Sequence, residues 1–184
     1  KTIVPAKTLI ELIRVIDDLG VKQVEIYFSK NENQIFFKLD NVEIVSRVID
    51  DQFPEWSKIV PQEFKTTVVV DKNELAQLVK TAAIFARSSG NVVKFKIGNS
   101  EITISATSKD DGGSTTSRVK AEITGSDEEI AFNYRYITDV LSVINSQKLK
   151  IELIENVKPA KFSPVSDEKN GNFYHIVMPV RLQD

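Results

Sequence analysis

Residues 52–61, QFPEWSKIVP, divide the sequence into two parts that carry related patterns. This segment, called the joint below, holds the single tryptophan and two of the six prolines, and its apolar residues follow neither helical nor strand spacing. One strand, helix, three-strand pattern lies before the joint, and two more lie after it. The sequence therefore predicts a partial domain followed by a complete one.

The first copy is predicted to open with a strand end at residues 1–5 and to continue as an amphipathic helix that stops at Gly20. The apolar stripe of this helix comprises Leu9, Leu12, Ile13, Ile16 and Leu19. Alternating apolar residues predict strands over residues 23–29, 34–39 and 42–50. This copy should form a small antiparallel sheet backed by one helix.

The second and third copies repeat the pattern, and a polar residue at a strand end is the predicted N-cap of each helix: Asp71 in one copy and Asn133 in the other. The apolar stripes of these helices comprise Leu75, Leu78, Val79, Ala82 and Ala86, and Ile137, Val140, Leu141 and Ile144. Strands are predicted over residues 66–70, 92–97, 101–105, 116–124, 129–132, 149–154, 160–164 and 172–182. The predicted fold class is α+β, built from repeated units with antiparallel sheets and helices on one face.

Composition narrows the possible functions. The chain has 24 basic and 26 acidic residues, so any contact with DNA should be weak or local. It has no cysteine, which excludes disulfides and thiolate metal sites, and no apolar run approaches the length that spans a bilayer. We expect a soluble, cytoplasmic protein without a cofactor.

The titratable residues do not form a recognisable catalytic motif. His175 lies in a predicted strand with no spaced metal partner, and no phosphate loop or dinucleotide fingerprint is present. Paired acids occur at residues 17–18, 50–51 and 110–111, where a helix end, a strand end and a hairpin loop explain them. We expect no catalytic residue and no bound metal.

Several short stretches of the sequence resemble those of one family, the bacterial DNA polymerase III beta subunits, which are processivity sliding clamps. These are Ile3-Val4-Pro5, the helix segment LIELIRVI, Asp51-Gln52-Phe53-Pro54, Ile59-Val60-Pro61, Ala82-Ala83-Ile84, Phe132-Asn133 and the ending Val177-Met178-Pro179-Val180-Arg181-Leu182. The resemblance covers all 184 residues. It implies a DNA-clamp fold of six repeat copies per subunit, with two subunits joined head to tail around duplex DNA.

On this resemblance, residues 1–61 are the second half of a clamp middle domain plus the joint, and residues 62–184 are a complete carboxyl-terminal clamp domain. The family's first domain, and the Thr-Asp-Gly-His-Arg-Leu loop that usually precedes the opening strand, are absent from the sequence. The implied function is to encircle DNA and to dock short peptides of polymerases and clamp loaders, without catalysis. The chain itself is expected to be mainly monomeric and to bind DNA weakly.

Two groups of residues on the helices carry a functional signal. The polar stripes of the three helices hold cations that would face DNA phosphates in a clamp: Lys7, Arg14, Lys72, Lys80 and Arg135. Ile84 is an apolar residue on the polar stripe of the second helix. Either the end of this helix packs under the following strand, or Ile84 marks a contact surface. The resemblance favours a subunit interface at Ile84 and Phe85.

The third group is the joint together with the carboxyl end. Met178-Pro179 interrupts a strand ladder because proline offers no N–H, and methionine suits surfaces that accept varied partners. The resemblance implies a pocket here for peptides of the form Gln-Leu-x-Leu-Phe. Its residues would be Pro54, Lys58, Ile59, Pro159, Ile176, Met178, Pro179, Val180, Arg181 and Leu182. Lys58 stands where arginine is common in the family, and Val180 where methionine is common.

Two other functions remain open from the residues alone. The repeats could form a protein-interaction scaffold with no role on DNA, which would neither form a ring nor respond to clamp-binding peptides. A hydrolytic enzyme using Asp110 and Asp111 would instead show metal-dependent activity that is lost when either aspartate is changed.

Overall fold

A computed structural model describes residues 2–29, 33–53, 55–110, 112–165 and 173–181. The chain divides into two compact units, Lys1–Glu55 and Trp56–Asp184. The boundary falls inside the joint, whose Trp56–Lys58 segment forms a single 3-10 turn.

The described part of the first unit consists of one helix and one antiparallel sheet in the order β1-β2-β3. An isolated antiparallel bridge joins Ile3 to Ile49, so the residues before the helix pair with the end of the last strand. The elements are α1 (Ala6–Leu19), β1 (Glu25–Ser29), β2 (Gln34–Leu39) and β3 (Val42–Arg47).

The core of the first unit is narrower than the apolar stripe of α1 predicts. Leu12 is the buried residue of the helix, and it packs against the inner side chains of β2, namely Ile35, Phe37 and Leu39. Ile16 is partly buried, whereas Leu9, Ile13 and Leu19 are exposed, so only part of the apolar stripe lies in this core. One helix laid on a three-stranded sheet can cover only part of its own apolar face.

Within its described residues, the second unit contains two α-helices and eight strands. They are β4 (Thr66–Asp71), α2 (Lys72–Ala86), β5 (Val92–Gly98), β6 (Glu101–Thr107), β7 (Ser114–Thr124), β8 (Glu128–Asn133), α3 (Tyr134–Val143), β9 (Lys148–Leu153), β10 (Ala160–Pro164) and β11 (His175–Val177). Both predicted caps form: the Asp71 carboxylate accepts the N–H groups of Asn73 and Glu74, and the Asn133 side chain accepts that of Arg135.

The strand order β11-β10-β9-β4-β7-β6-β5-β8 shows how the two copies of this unit are combined. The first strand of each copy pairs with the three-strand sheet of the other copy, since β4 pairs with β9 and β8 pairs with β5. The helices α2 and α3 contact one another, and their apolar faces share one core with the sheet. The strands β9 and β5 are consequently paired on both edges.

The last strand is shorter than predicted. The sequence predicts a strand over residues 172–182, but the pairing with β10 ends at Val177 opposite Ala160. Pro179 cannot donate to a ladder, and the Val180 N–H instead donates to the Ala131 carbonyl of β8 at 2.8 Å. The chain thus crosses from β10 to β8, which leaves Met178 at the surface.

Candidate functional site

The cations predicted to face DNA differ in how available they are. On α1, Lys7 is exposed, whereas the Arg14 guanidinium is hydrogen-bonded to the Glu11 carboxylate and lies 3.4 Å from Asp18 Oδ2. The hydrogen bond from Arg14 lowers the pKa of the Glu11 carboxyl and in turn raises the pKa of Arg14. The two acids offset much of the charge that Arg14 would present to a phosphate.

Lys80 and Arg135, two of the predicted cations, are exposed on the helices of the second unit. Lys80 of α2 lines a small cleft of about 140 Å³ with Thr138 and Ser142 of α3. Arg135 lies on the same stripe of α3 as these two residues, at helical spacing, and its side chain is exposed. Lys72 has a structural contact instead, because its ammonium group donates to the Ile144 carbonyl at 3.1 Å.

Arg87 is a further cation of this region that the sequence patterns did not single out. It is the C-cap residue of α2, and together with Arg135 it changes the pKa of the half-buried Tyr134 phenol. The pKa of Tyr134 is lowered, first by hydrogen bonding from Arg135 and also by Arg87. Both arginines therefore favour the charged phenolate of Tyr134.

Ile84 and Phe85, the predicted subunit-interface residues, have different environments. The Ile84 side chain is 66% exposed, while Phe85 is partly buried against the core. A Cβ placed on Gly113 would lie 3.3 Å from the Phe85 ring, so Phe85 also packs against the chain that leads into β7. Ile84 is the residue of this pair that remains available for a partner.

The adjacent strand β7 has an open edge. Its residues from Ser114 to Lys120 pair with β6 on one side, while β4 joins it only from Ala121 onward. Among the described residues, the outer edge of β7 before Ala121 has no paired strand. Because Gly113 lies against Phe85, the start of this edge is close to the end of α2.

Residues from the joint lie at the surface of the second unit. Ile59 is exposed and donates its N–H to the Trp56 carbonyl at 2.9 Å, which closes the 3-10 turn. Lys58 and Trp56 are exposed as well. Pro54, the remaining predicted pocket residue of the joint, lies outside the described residues.

The predicted pocket residues near the carboxyl end fall into two environments. Val180 and Arg181 line an open depression of about 530 Å³, and Asn156 and Val157 form part of its rim. Ile176, Pro179 and Pro159 are half-buried, and Met178 is 56% exposed. Leu182 lies outside the described residues.

The depression contains residues that sequence reasoning missed. Val157 is 48% exposed in the turn between β9 and β10, and Glu129 and Ala131 of β8 form the opposite side. An apolar residue in a polar turn, Glu155-Asn156-Val157-Lys158, was the available signal. The side supplied by β8 could not be read from the sequence, because it depends on the hydrogen bond between Val180 and Ala131.

His175 and the described paired acids lie in different parts of the chain. Within the described ranges, no group of three or more His, Cys, Asp or Glu side chains is placed to hold a metal ion. His175 is half-buried in β11 opposite Phe162 of β10. Asp110 is exposed, and Asp111 lies outside the described residues. None of the helices in the described part of the chain has the length and apolar character needed to cross a membrane.

Comparison with protein families gives two matches that together cover almost the whole chain. Residues 1–55 match the family model of the DNA polymerase III beta subunit, central domain, and residues 57–181 match that of the DNA polymerase III beta subunit, C-terminal domain. The two matches meet in the joint.

Individual relatives agree. The beta sliding clamp of Staphylococcus aureus is 28% identical over 185 residues, covering 97% of this chain and 46% of the relative. The crystal structure of the DNA polymerase III beta chain from Streptococcus pneumoniae superposes with a TM-score of 0.83 at 27% identity, over 97% of this chain and 46% of that one. The beta subunit from Thermotoga maritima gives 0.78 at 28% identity, over 96% and 47%. The chain spans about half the length of the relatives it matches.

Proposed function

The chain belongs to the DNA polymerase III beta subunit family, and from that premise we propose that it supplies part of a DNA sliding clamp. The clamp would encircle duplex DNA and make a replicative polymerase processive without itself catalysing a reaction, in the cytoplasm. The two adjacent domain matches over residues 1–55 and 57–181 are the observation that carries this proposal. We assign residues 1–61 to half of a middle domain plus the joint and residues 62–184 to a complete carboxyl-terminal domain.

For contact with DNA, the cations on the helices favour phosphates over bases. Lys80, which lines the cleft between α2 and α3, and the exposed Arg135 and Lys7 are the main candidates. Arg14 and Lys72 should contribute less, because Arg14 is paired with two acids and Lys72 binds a backbone carbonyl. Binding should be independent of sequence, weak without a closed ring, and steeply dependent on salt.

For assembly, we propose that Ile84 and the open edge of β7 face the partner subunit in a head-to-tail homodimer. An exposed apolar side chain beside an unpaired strand edge is a surface that can accept another strand.

For recruitment, we propose that the depression beside Val157 and Val180, together with Met178 and Ile59, docks short peptides of polymerases and clamp loaders. The exposed apolar side chains offer burial to the leucine and phenylalanine of a Gln-Leu-x-Leu-Phe peptide. Each buried side chain contributes roughly 1.5–3 kcal/mol before ordering costs. A dissociation constant of about tens of micromolar to millimolar follows for two such anchors.

The test is a titration of this peptide followed by Trp56 fluorescence and by NMR signals of residues 176–181. Wild type should respond, and a peptide whose leucine and phenylalanine are replaced by alanine should not. Val157→Asp should weaken binding about tenfold or more, whereas Val45→Asp, at an equally exposed valine of the first unit, should leave it unchanged. If neither signal responds at several millimolar peptide, the docking role is wrong and a scaffold without a role on DNA becomes the better hypothesis.

A further inference from the structure

One lysine of the second unit lies between two aromatic rings from distant parts of the chain. The Lys161 ammonium nitrogen is 5.2 Å from the centroid of the Phe64 ring and 5.6 Å from that of Tyr174. Both distances fall within the range of cation–π attraction. Phe64 follows the joint, and Tyr174 immediately precedes β11, so a single charge contacts the two segments that lead to and from the proposed peptide site.

Lys161 is held in place from the sheet side. It lies in β10, opposite Glu152 of β9 and Ile176 of β11. Its Nζ is 3.1 Å from Glu152 Oε2, and Lys150 approaches the other carboxylate oxygen at 3.2 Å. The side chains of Lys161 and Glu152 are only 24% and 12% exposed. Partial burial reduces solvent screening and strengthens both the ion pair and the attraction to the rings.

The two aromatic residues stand on anchored backbone. Next to Phe64, the Lys65 N–H donates to the Leu153 carbonyl at 2.8 Å, and the Lys65 ammonium pairs with Glu155 at 2.7 Å. Tyr174 leads into the β11 residues that pair with β10, after which the Val180 N–H donates to Ala131. A movement of either segment would therefore pull a ring away from the Lys161 ammonium group.

From these contacts we propose that Lys161 is a positioning residue, which couples the chain after the joint to the strand that carries Ile176 and presents Met178. The role in peptide docking rests on the function proposed above, whereas the coupling itself does not. Lys161 is not proposed to contact the peptide itself. Its charge instead sets how closely the two segments are held, and so how well the peptide-contacting residues are ordered before binding.

Amide hydrogen exchange tests the coupling without any ligand. Lys161→Met keeps the aliphatic length and removes the charge, so each of the two segments loses its own cation–π contact. Exchange of both the Lys65 and Val180 amides should then become about five- to tenfold faster. The Arg87 amide, which donates to Ala83 in α2, should not change. Lys161→Arg retains the cation and should restore slow exchange at both amides.

Two more variants separate this role from general stability. Phe64→Leu leaves the pair with Glu152 intact but removes one ring, and it should speed exchange at Val180 despite the distance in sequence. Lys148→Met removes a lysine from an exposed pair with Glu122, at 2.6 Å and without an aromatic ring, and should change neither amide. Unchanged exchange at Val180 in folded Lys161→Met and Phe64→Leu proteins, or an equal effect of Lys148→Met, would overturn the proposal.

Peptide titration then connects the coupling to function. The dissociation constant of the Gln-Leu-x-Leu-Phe peptide should rise about three- to fivefold in Lys161→Met and return to the wild-type value in Lys161→Arg. A wild-type chain that binds no peptide would refute the docking role but leave the exchange result to decide on the coupling. A wild-type affinity in Lys161→Met would show that Lys161 does not position the site.

Discussion

Gly125 is the position at which the fold of the second unit depends most directly on a single residue type. It joins β7 to β8 with a φ of 112°. A Cβ at this position would lie 2.0 Å from the Lys65 carbonyl oxygen and 2.8 Å from the Thr66 Cα. Both atoms belong to the backbone at the start of β4, so no side-chain rotation can relieve the overlap. The Thr66 hydroxyl also donates to the Ser126 carbonyl at 2.9 Å, which holds the two segments together.

The expected cost of Gly125→Ala has two parts. Holding a residue with a Cβ in this sparsely populated region of φ costs about 1–3 kcal/mol. Moving backbone to remove the overlap costs about 1–3 kcal/mol more, as in other overpacked sites. We expect a loss of about 2–6 kcal/mol in the free energy of unfolding, with Tm lower by about 4 °C for each kcal/mol in a domain of this size.

Thermal and urea unfolding followed by circular dichroism would measure this loss. Gly112→Ala is the matched control, since Gly112 also has a positive φ, 64°, but a Cβ there would meet nothing within 4 Å. Its cost should be about 1 kcal/mol, the strain of a left-handed alanine alone. If the two variants lose the same stability, the turn can move away from Lys65 and the close approach does not constrain the fold.

Two titrations follow from the charged contacts. Ultraviolet absorbance should show one tyrosine with a pKa below the ordinary value, because Arg135 and Arg87 stabilise the Tyr134 phenolate. Arg135→Gln should move this tyrosine's titration to higher pH. If the low-pH titration persists in Tyr134→Phe, it does not belong to Tyr134. Lys65 lowers the pKa of Glu155, so the stabilisation from this pair is present above the carboxyl's unfolded pKa and is lost as pH falls through the folded pKa. As the pair is lost at low pH, exchange at the Lys65 amide should become faster. Glu155→Gln should abolish this acid-side increase, and an unchanged pH profile in that variant would contradict the reasoning.

The features that the sequence predicted well depend on local chemistry. Asp71 and Asn133 cap the two helices of the second unit because their side chains reach N–H groups only two or three residues away. The alternation in β2 and in β10 gave strand bounds that agree with the structure, since neighbouring side chains on a strand face opposite sides. Three copies of one pattern, and hence the fold class, were therefore visible without coordinates.

The features that the sequence could not supply depend on partners far along the chain. No local pattern indicates that β4 pairs with β9 or that β8 pairs with β5. The polar stripe of α1 predicted Arg14 as a cation for DNA, but the same stripe carries the acids that pair with it. The candidate peptide site was only partly predictable for the same reason. Its carboxyl-terminal residues carry a recognisable motif, whereas the side formed by β8 depends on long-range contacts.

The exchange of first strands explains why similar phenylalanines in the two units should differ in energetic importance. Phe28 in β1 and Phe95 in β5 each lie in the first strand after a helix, yet Phe28 is 54% exposed and Phe95 is 1% exposed. The difference arises because β8 covers the outer edge of β5, while the described structure places no strand on the outer edge of β1.

Truncating these two side chains would measure that difference. Phe95→Ala should cost about 3–5 kcal/mol as a buried cavity, and Phe28→Ala about 1 kcal/mol, because half of its surface already meets solvent. Amide exchange resolved by peptide mass spectrometry can score each unit separately, with β2 reporting on Phe28 and β6 on Phe95. A half-exposed ring cannot stabilise the protein as much as a buried one. If Phe28→Ala lowers the free energy of unfolding as much as Phe95→Ala does, the β1 edge must be covered in solution by a contact from outside these 184 residues.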